Sequence, residues 1–308
     1  MGIITVEQRT EFRKHFRYNV GRRLVLDKVV KFMVFLCVVV AIMPLIAILV
    51  NVFSNGAAAL SWDFLTQIPG AVGSDDPGGI GPAIQGTLVL IGLSSLIGVP
   101  VGVMGGIFLS EYGNNRYGRT VRFFNDVLAE FPTIVIGVFT FVLIVLTIGN
   151  FSVWAGSFAL SIIMLPIIMR TTEESLKLVP VTYREAGYAL GIRRWRVVFT
   201  IVLSGAKGGL ITGILLAVAR IAGETAPLVF TILGSSQFIQ GLDGPVDALP
   251  LRIWRLSSLP YDSSVVQGWG AAFVLIILVL SINIGVRYLF LRRKGQTMLK
   301  FKKLGSMS

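Results

Sequence analysis

Long apolar runs separated by short polar segments dominate this chain. A helix needs about 20 apolar residues to cross a hydrocarbon core about 30 Å thick. Six runs reach that order of length: 32–53, interrupted by Pro44, then 83–109, about 123–148, about 151–169, 210–233 and about 269–291. Only Gly149 and Asn150 part the third run from the fourth, which predicts a tight turn between antiparallel helices. The expected fold is all-α, a polytopic membrane bundle of about six transmembrane helices.

The basic residues alternate with the runs. Lysines and arginines crowd the N-terminal tail 1–31, the loop after the second run (Arg116, Arg119, Arg122), the loop after the fourth (Arg170, Lys177, Arg184, Arg193, Arg194, Arg196) and the tail 292–308. Segments 54–82 and 234–268 carry only Arg252 and Arg255 among six aspartates, Asp63, Asp75, Asp76, Asp243, Asp247 and Asp262. The positive-inside rule then puts both termini on the cytoplasmic side of a cell inner or plasma membrane. The expected organisation is a basic tail (1–31), a first helix (32–53), an external loop (54–82), a core (83–291) with a cytoplasmic loop (170–204), and a second basic tail (292–308). Small residues such as Gly86, Gly92, Gly98 and Gly102 recur in the second run and in the fifth, as helices that approach closely in lipid require. The tail 1–31 mixes Phe12 and Phe16 with basic residues, which suits either a surface helix on anionic lipid or a plain topology signal. Trp62, Trp254 and Trp269 read as interfacial anchors of otherwise ordered outer loops.

Composition sharpens this picture. Charged residues make up 14% of the chain, against about 25% in soluble domains, and hydrophobic residues 54%. The net charge of +12 sits at the ends of apolar runs, so it marks topology and not nucleic acid. With one cysteine, Cys37, and one histidine, His15, the chain has no means for an internal disulfide or a Cys/His metal site. No Walker A loop, HExxH or GxSxG occurs, so neither an enzyme nor an ATP-binding P-loop is expected, and no cofactor in this chain. The first run is too long for the h-region of a cleavable leader and lacks a small-residue cleavage site.

Two stretches carry candidate chemistry. The loop after the fourth run reads Thr182-Tyr-Arg-Glu185-Ala186-Gly187-Tyr-Ala-Leu-Gly191 and then Ile192-Arg193-Arg194-Trp195-Arg196. Thr182 and Glu185 have capping-box spacing and predict a helix start, while Gly191 suits a left-handed stop. Arg193, Arg194 and Arg196 open a second short helix. With Ala186 and Gly187 on its surface, the first helix suits close docking on a partner, and a plain connecting hairpin fits equally well. The second stretch is in the fifth run. Arg220 lies ten residues past Leu210, about 15 Å deep at about 1.5 Å per residue. A charge there costs at least about 2.5–3.5 kcal/mol on insertion scales, so such residues face a bundle interior or water. A guanidinium fork matches phosphate-type oxygens, and Glu224, one turn on, can pair with it when no anion is present. Thr225 offers a hydroxyl, and Pro227 a helix break. The alternative is a structural ion pair that fixes packing. Asp126 and Glu130 are poor anion ligands and read as partners for Arg122 or Arg170. Arg170 and Lys207 read either as anchors at a helix end or, for Arg170, as a cation at the inner mouth.

At these residues the chain resembles a known family. Glu185-Ala186-Gly187, three residues, Gly191, nine residues and Ile201-x-Leu203 resemble the EAA loop of ABC importer permeases, with Gly187 for the second alanine and Ser204 for the proline. Gly223-Glu224-Thr225-Ala226-Pro227 is similar to the matching stretch of phosphate importer permeases of the PstA type. Phe131-Pro132-Thr133 through Gly137 and Ala248-Leu249-Pro250-Leu251-Arg252-Ile253-Trp254 add to that likeness, which covers roughly residues 80–290.

The resemblance implies a MetI-like permease fold and a coupling helix made by Glu185, Ala186, Gly187, Gly191 and Arg193. It implies a second, related permease as heterodimer partner, an ATPase dimer that binds ATP and magnesium, and an external phosphate-binding protein, with phosphate as cargo and Arg220, Glu224 and Thr225 along the pathway. Another oxyanion importer, for sulfate or molybdate, is the neighbouring alternative. A secondary transporter or channel is a different class, and it predicts inverted repeats that the sequence does not display.

Overall fold

The computed structural model describes the backbone of residues 6–71 and 78–304 and the side chains of residues 22–71 and 78–288. The side chains of Phe12, Phe16 and the 292–308 tail, and residues Asp75, Asp76 and Pro77, lie outside what is described. Among those described, regular structure is helical, with two isolated bridges, Pro69 to Gly78 and Leu233 to Val246.

The chain divides into two units, 1–54 and 55–308. The described residues of the first, 6–54, are one continuous helix, part of α1 (Val6–Ala58), which runs through Pro44 without ending. From Arg22 to Asn51 every side chain is exposed, Cys37 and a run of valines, leucines and phenylalanines included. A helix that is apolar on all sides needs lipid around it.

The second unit holds α2 (Trp62–Thr66), α3 (Gly81–Tyr112), α4 (Arg116–Glu130), α5 (Thr133–Ile148), α6 (Val153–Lys177), α7 (Val181–Ala189), α8 (Arg194–Ala222), α9 (Ala226–Thr231), α10 (Leu249–Ser257) and α11 (Asp262–Leu304). By length and apolarity five helices qualify to cross a membrane: Arg22–Ala58, α3, α6, α8 and Asp262–Tyr288. The pair α4 and α5 makes a sixth only as a span bent by 101°. A multi-pass membrane protein of five or six spans follows.

A glycine seam sets the centre of this unit. Gly98, Gly102 and Gly106 lie one turn apart on α3 and face Met164, Ile168 and Thr172, also one turn apart on α6. A Cβ added at these glycines would come within 2.7, 2.8 and 2.5 Å of those side chains. The two helices therefore run in the same direction at backbone-close range. On its other flank α6 meets α8 running the opposite way, where a Cβ at Gly213 would strike Thr171 and one at Gly209 would strike Ser175. Leu90, Leu160, Ile163, Met164, Ile221 and Leu228 fill the shared core.

Two of the expected spans are corrected. The third, 123–148, is not one helix. Phe131 precedes Pro132 and is extended (φ −64°, ψ 134°), because a proline ring crowds a helical predecessor. Residues 116–130 thus become an amphipathic helix lying off the α5 axis. The fifth, 210–233, is also two pieces: α8 begins at Arg194, passes a π-turn over Val197–Val202, and stops at Gly223. The break falls at Gly223–Thr225, and Pro227 sits in the first turn of the next short helix instead of causing the break itself.

Candidate functional site

Arg220 occupies the last turn of α8, and Gly223 closes that helix by donating its N–H to the Arg220 carbonyl at 3.2 Å. Counting depth from Leu210 therefore no longer applies. The register against α6 replaces it: Gly209 meets Ser175 and Gly213 meets Thr171, so each step along α8 is one step back along α6. Seven residues past Gly213, Arg220 is level with Met164, near the middle of α6 and opposite Gly98 of α3. The guanidinium stands where a crossing helix breaks halfway through the bundle.

Its surroundings leave it uncommitted. Arg220 Nε lies 3.6 Å from Glu224 Oε1, an ion pair beyond hydrogen-bond reach, with the arginine side chain 51% exposed and the glutamate 15%. The other donors of Arg220 have no partner among the described residues, and neither does the Thr225 hydroxyl, which heads α9 without capping it. Behind them Gly137 of α5 packs on Pro227, where a Cβ would sit 2.7 Å from the proline Cα. The half-helices α5 and α9 thus brace the broken turn. Arg170 has a different setting. It lies inside α6, not at its end, and donates to Glu174 (2.7 Å) and to Asp126 of α4 (3.5 Å). With two carboxylates already on it, Arg170 is a fastener between helices. Glu130 has no such partner among the described residues, and Arg122 pairs with Glu173 instead of Asp126 or Glu130.

The α7 helix begins two residues before the expected cap at Thr182. Pro180 (φ −54°, ψ 141°) starts it, no side chain caps it, and Thr182 falls inside its first turn. Gly191 ends it at φ +72°, donating to the Tyr188 carbonyl, while Ile192 donates to the Gly187 carbonyl, the paired bonds of a Schellman stop. Gly187 does not lie on the outer surface. It is buried against the α8 π-turn, where a Cβ would approach Val197 Cγ2 to 2.9 Å and Ile201 Cδ1 to 3.2 Å. Glu185, Ala186 and Gly191 remain exposed, as does Arg193, whose carbonyl caps the start of α8 by accepting from Arg196 and Val197.

Sequence reasoning missed a cluster at this end. Arg184 of α7 donates to Glu111 of α3 and to the Leu176 and Val179 carbonyls. Arg122 of α4 donates to Glu173 and to the Leu109 and Gly113 carbonyls. Arg194 donates to the Glu111 carbonyl and lies 4.3 Å over the Tyr112 ring. The signal available was Glu111, an acid at the end of an apolar run whose sequence is followed by two arginine-bearing loops. At the opposite end Asp247 is fully buried against Arg252 (2.6 Å), and Arg255 donates to the Leu233 carbonyl. Burial pushes the Asp247 carboxyl up, against the pull of Arg252. Among the described residues no three His, Cys, Asp or Glu side chains gather as metal ligands.

Comparison with known proteins shows the family. Residues 98–295 match the profile of the family described as binding-protein-dependent transport system inner membrane component. The chain is 40% identical over 262 residues to the phosphate transport system permease protein PstA of Haemophilus influenzae, covering 84% of this chain and 92% of that one. It is 38% identical to PstA 1 of Mycobacterium tuberculosis, covering 91% and 93%. In fold it is similar to a bacterial ABC transporter for alginate (TM-score 0.57, 13% identity, 89% and 99% covered) and to the inward-facing MetNI methionine transporter (0.54, 20%, 68% and 92%). On this evidence the chain belongs to the inner membrane components of binding-protein-dependent transport systems, within the group of PstA permeases.

Proposed function

We propose that this permease forms half of the translocation pathway of an ATP-driven importer of inorganic phosphate. The observation that carries the reading is Arg220, a half-exposed guanidinium level with the middle of the bundle, held by one loose contact to Glu224. In the absence of cargo Glu224 neutralises it. An incoming phosphate displaces the carboxylate, accepts from the guanidinium fork and from Thr225, and leaves when the site opens to the other side. The uncovered face of Arg220 is completed by a second, related permease. Arg170, occupied by Glu174 and Asp126, takes no part in cargo binding.

The chain holds no P-loop, so hydrolysis belongs to a separate ATPase dimer that binds ATP and magnesium. That ATPase receives α7, whose exposed Glu185, Ala186 and Gly191, with Arg193, form the docking edge. Both termini and the arginine-rich end face the cytoplasm, following the lysine and arginine bias. An external phosphate-binding protein docks on the opposite end.

Phosphate uptake by the assembled complex tests this. Arg220→Gln is expected to lose uptake, and Arg220→Lys to retain a small part of it, since a point charge replaces a fork. Wild-type uptake in both variants would reduce Arg220 to a packing role. Uptake of sulfate in place of phosphate would move the cargo to the neighbouring oxyanion.

A further inference from the structure

The geometry points to Arg184 as the positioning residue that ties α7 to the ends of two membrane-crossing helices, so that α7 moves only together with α3 and α6. The inference rests on the reading that α7 docks on an ATPase.

Arg184 belongs to α7 but spends its guanidinium elsewhere. Nε and Nη2 donate to Glu111 Oε1 in the last turn of α3, at 3.2 and 2.8 Å. Nη2 also donates to the Leu176 carbonyl at 3.0 Å, in the last turn of α6, and Nη1 to the Val179 carbonyl at 2.8 Å, two residues past its end. The last carbonyls of a helix lack internal donors and carry its negative dipole end. One rigid, permanently charged plane therefore holds a carbonyl of the last turn of α6, a carbonyl just beyond it and the Glu111 carboxylate at once. Exclusion from water strengthens it: the Arg184 side chain is 14% exposed and that of Glu111 5%.

The second attachment of α7 is of another kind. Gly187 rests on Val197 and Ile201, within the π-turn of α8. That turn is an irregular stretch of helix, and α8 carries Arg220 at its far end. A push on α7 thus reaches α8 through apolar packing and reaches α3 and α6 through Arg184. Arg122 pins the same end of α3 to α4, and Arg194 pins it to the start of α8, so the α3 terminus is the common anchor. Without Arg184, α7 keeps its apolar seat on α8 but loses its direct tie to Glu111 of α3, and less phosphate is moved for each ATP hydrolysed.

The test uses the assembled complex in proteoliposomes, reading ATPase co-purification, ATP hydrolysis and phosphate moved per ATP. Arg184→Gln is expected to keep the ATPase bound and hydrolysing while phosphate per ATP falls about tenfold, within the range of ordinary coupling between sites. Arg184→Lys stays low, because a point charge does not span Glu111 and two carbonyls. Glu111→Gln, which keeps the carbonyl bonds, falls less. The decisive variant combines Arg184→Cys and Glu111→Cys with Cys37→Ser. It is uncoupled when reduced and regains coupling with a short bifunctional thiol cross-linker. An undiminished ratio in Arg184→Gln, or a cross-link without effect, overturns the proposal, and so does loss of the ATPase in Arg184→Gln and Glu111→Gln alike, which indicates a structural role. An ATPase absent from the wild-type complex would instead sink the docking reading on which the proposal stands.

Discussion

Glu224 Oε1 stands 3.6 Å from Arg220 Nε, across a helix end that falls between the two residues. The carboxylate is close enough to compete with an anion and too far to bond the arginine firmly. Unit charges at about 4 Å interact by about 4 kcal/mol at an effective dielectric of about 20, which is an upper bound for a half-exposed pair.

Glu224→Gln should therefore bind phosphate more tightly and release it more slowly. The apparent KM for uptake is expected to fall about tenfold, corresponding to about 1.4 kcal/mol, with the maximal rate falling comparably. Uptake kinetics in the assembled complex check this. An unchanged KM would mean that the carboxylate does not compete with cargo.

The α7 contact gives a graded series. A methyl at Gly187 meets Val197 Cγ2 at 2.9 Å and Ile201 Cδ1 at 3.2 Å, so Gly187→Ala should cost about 1–3 kcal/mol. Gly187→Leu cannot be seated against Val197 and Ile201, and it lifts α7 from the π-turn. Uptake should persist in the alanine variant and vanish in the leucine variant, with the protein still in the membrane. Equal uptake by both would mean that α7 needs no close seat.

How much of this the sequence revealed depends on what carried each signal. Spans α1, α3, α6 and α11 were legible because their apolarity is continuous, and the Gly191 stop because a left-handed position selects glycine. The 101° bend and the two pieces of the 210–233 run were not, since hydropathy averages over a break that Pro132 or Gly223 makes locally. The middle depth of Arg220 was reached from a wrong helix boundary and stands on the α6 register instead. Arg184 and Glu111 were hidden because a sequence lists charges singly, and 73 positions separate this pair.

The seam between α3 and α6 admits no side chain at its glycines. Gly102 faces Ile168, with a hypothetical Cβ at 2.8 Å from two of its carbons, and the two helices cannot separate without opening the core around Met164. Gly102→Leu should prevent assembly of the permease, seen as loss from the membrane fraction, whereas Gly92→Leu, where an added Cβ meets nothing, should leave it intact. Equal abundance of the two variants would contradict the close approach.

Asp247 and Arg252 make a buried pair whose members should be unequal in isolation and forgiving together. Asp247 is fully buried, and one of its oxygens has no donor, so removing the guanidinium leaves a buried charge offset only by the Ala248 N–H and the charge of Arg255. Breaking such a pair costs about 3–5 kcal/mol, while replacing both members by apolar residues of similar size is often neutral. Arg252→Met is expected to shorten survival of the detergent-solubilised protein on heating, because the lone carboxylate must take up a proton or draw in water. Asp247→Leu with Arg252→Met should recover most of the loss. If the double variant is as fragile as the single one, the pair contributes more than charge balance, and the bond from Arg252 to the Ser235 carbonyl becomes the contact that holds this end of the bundle.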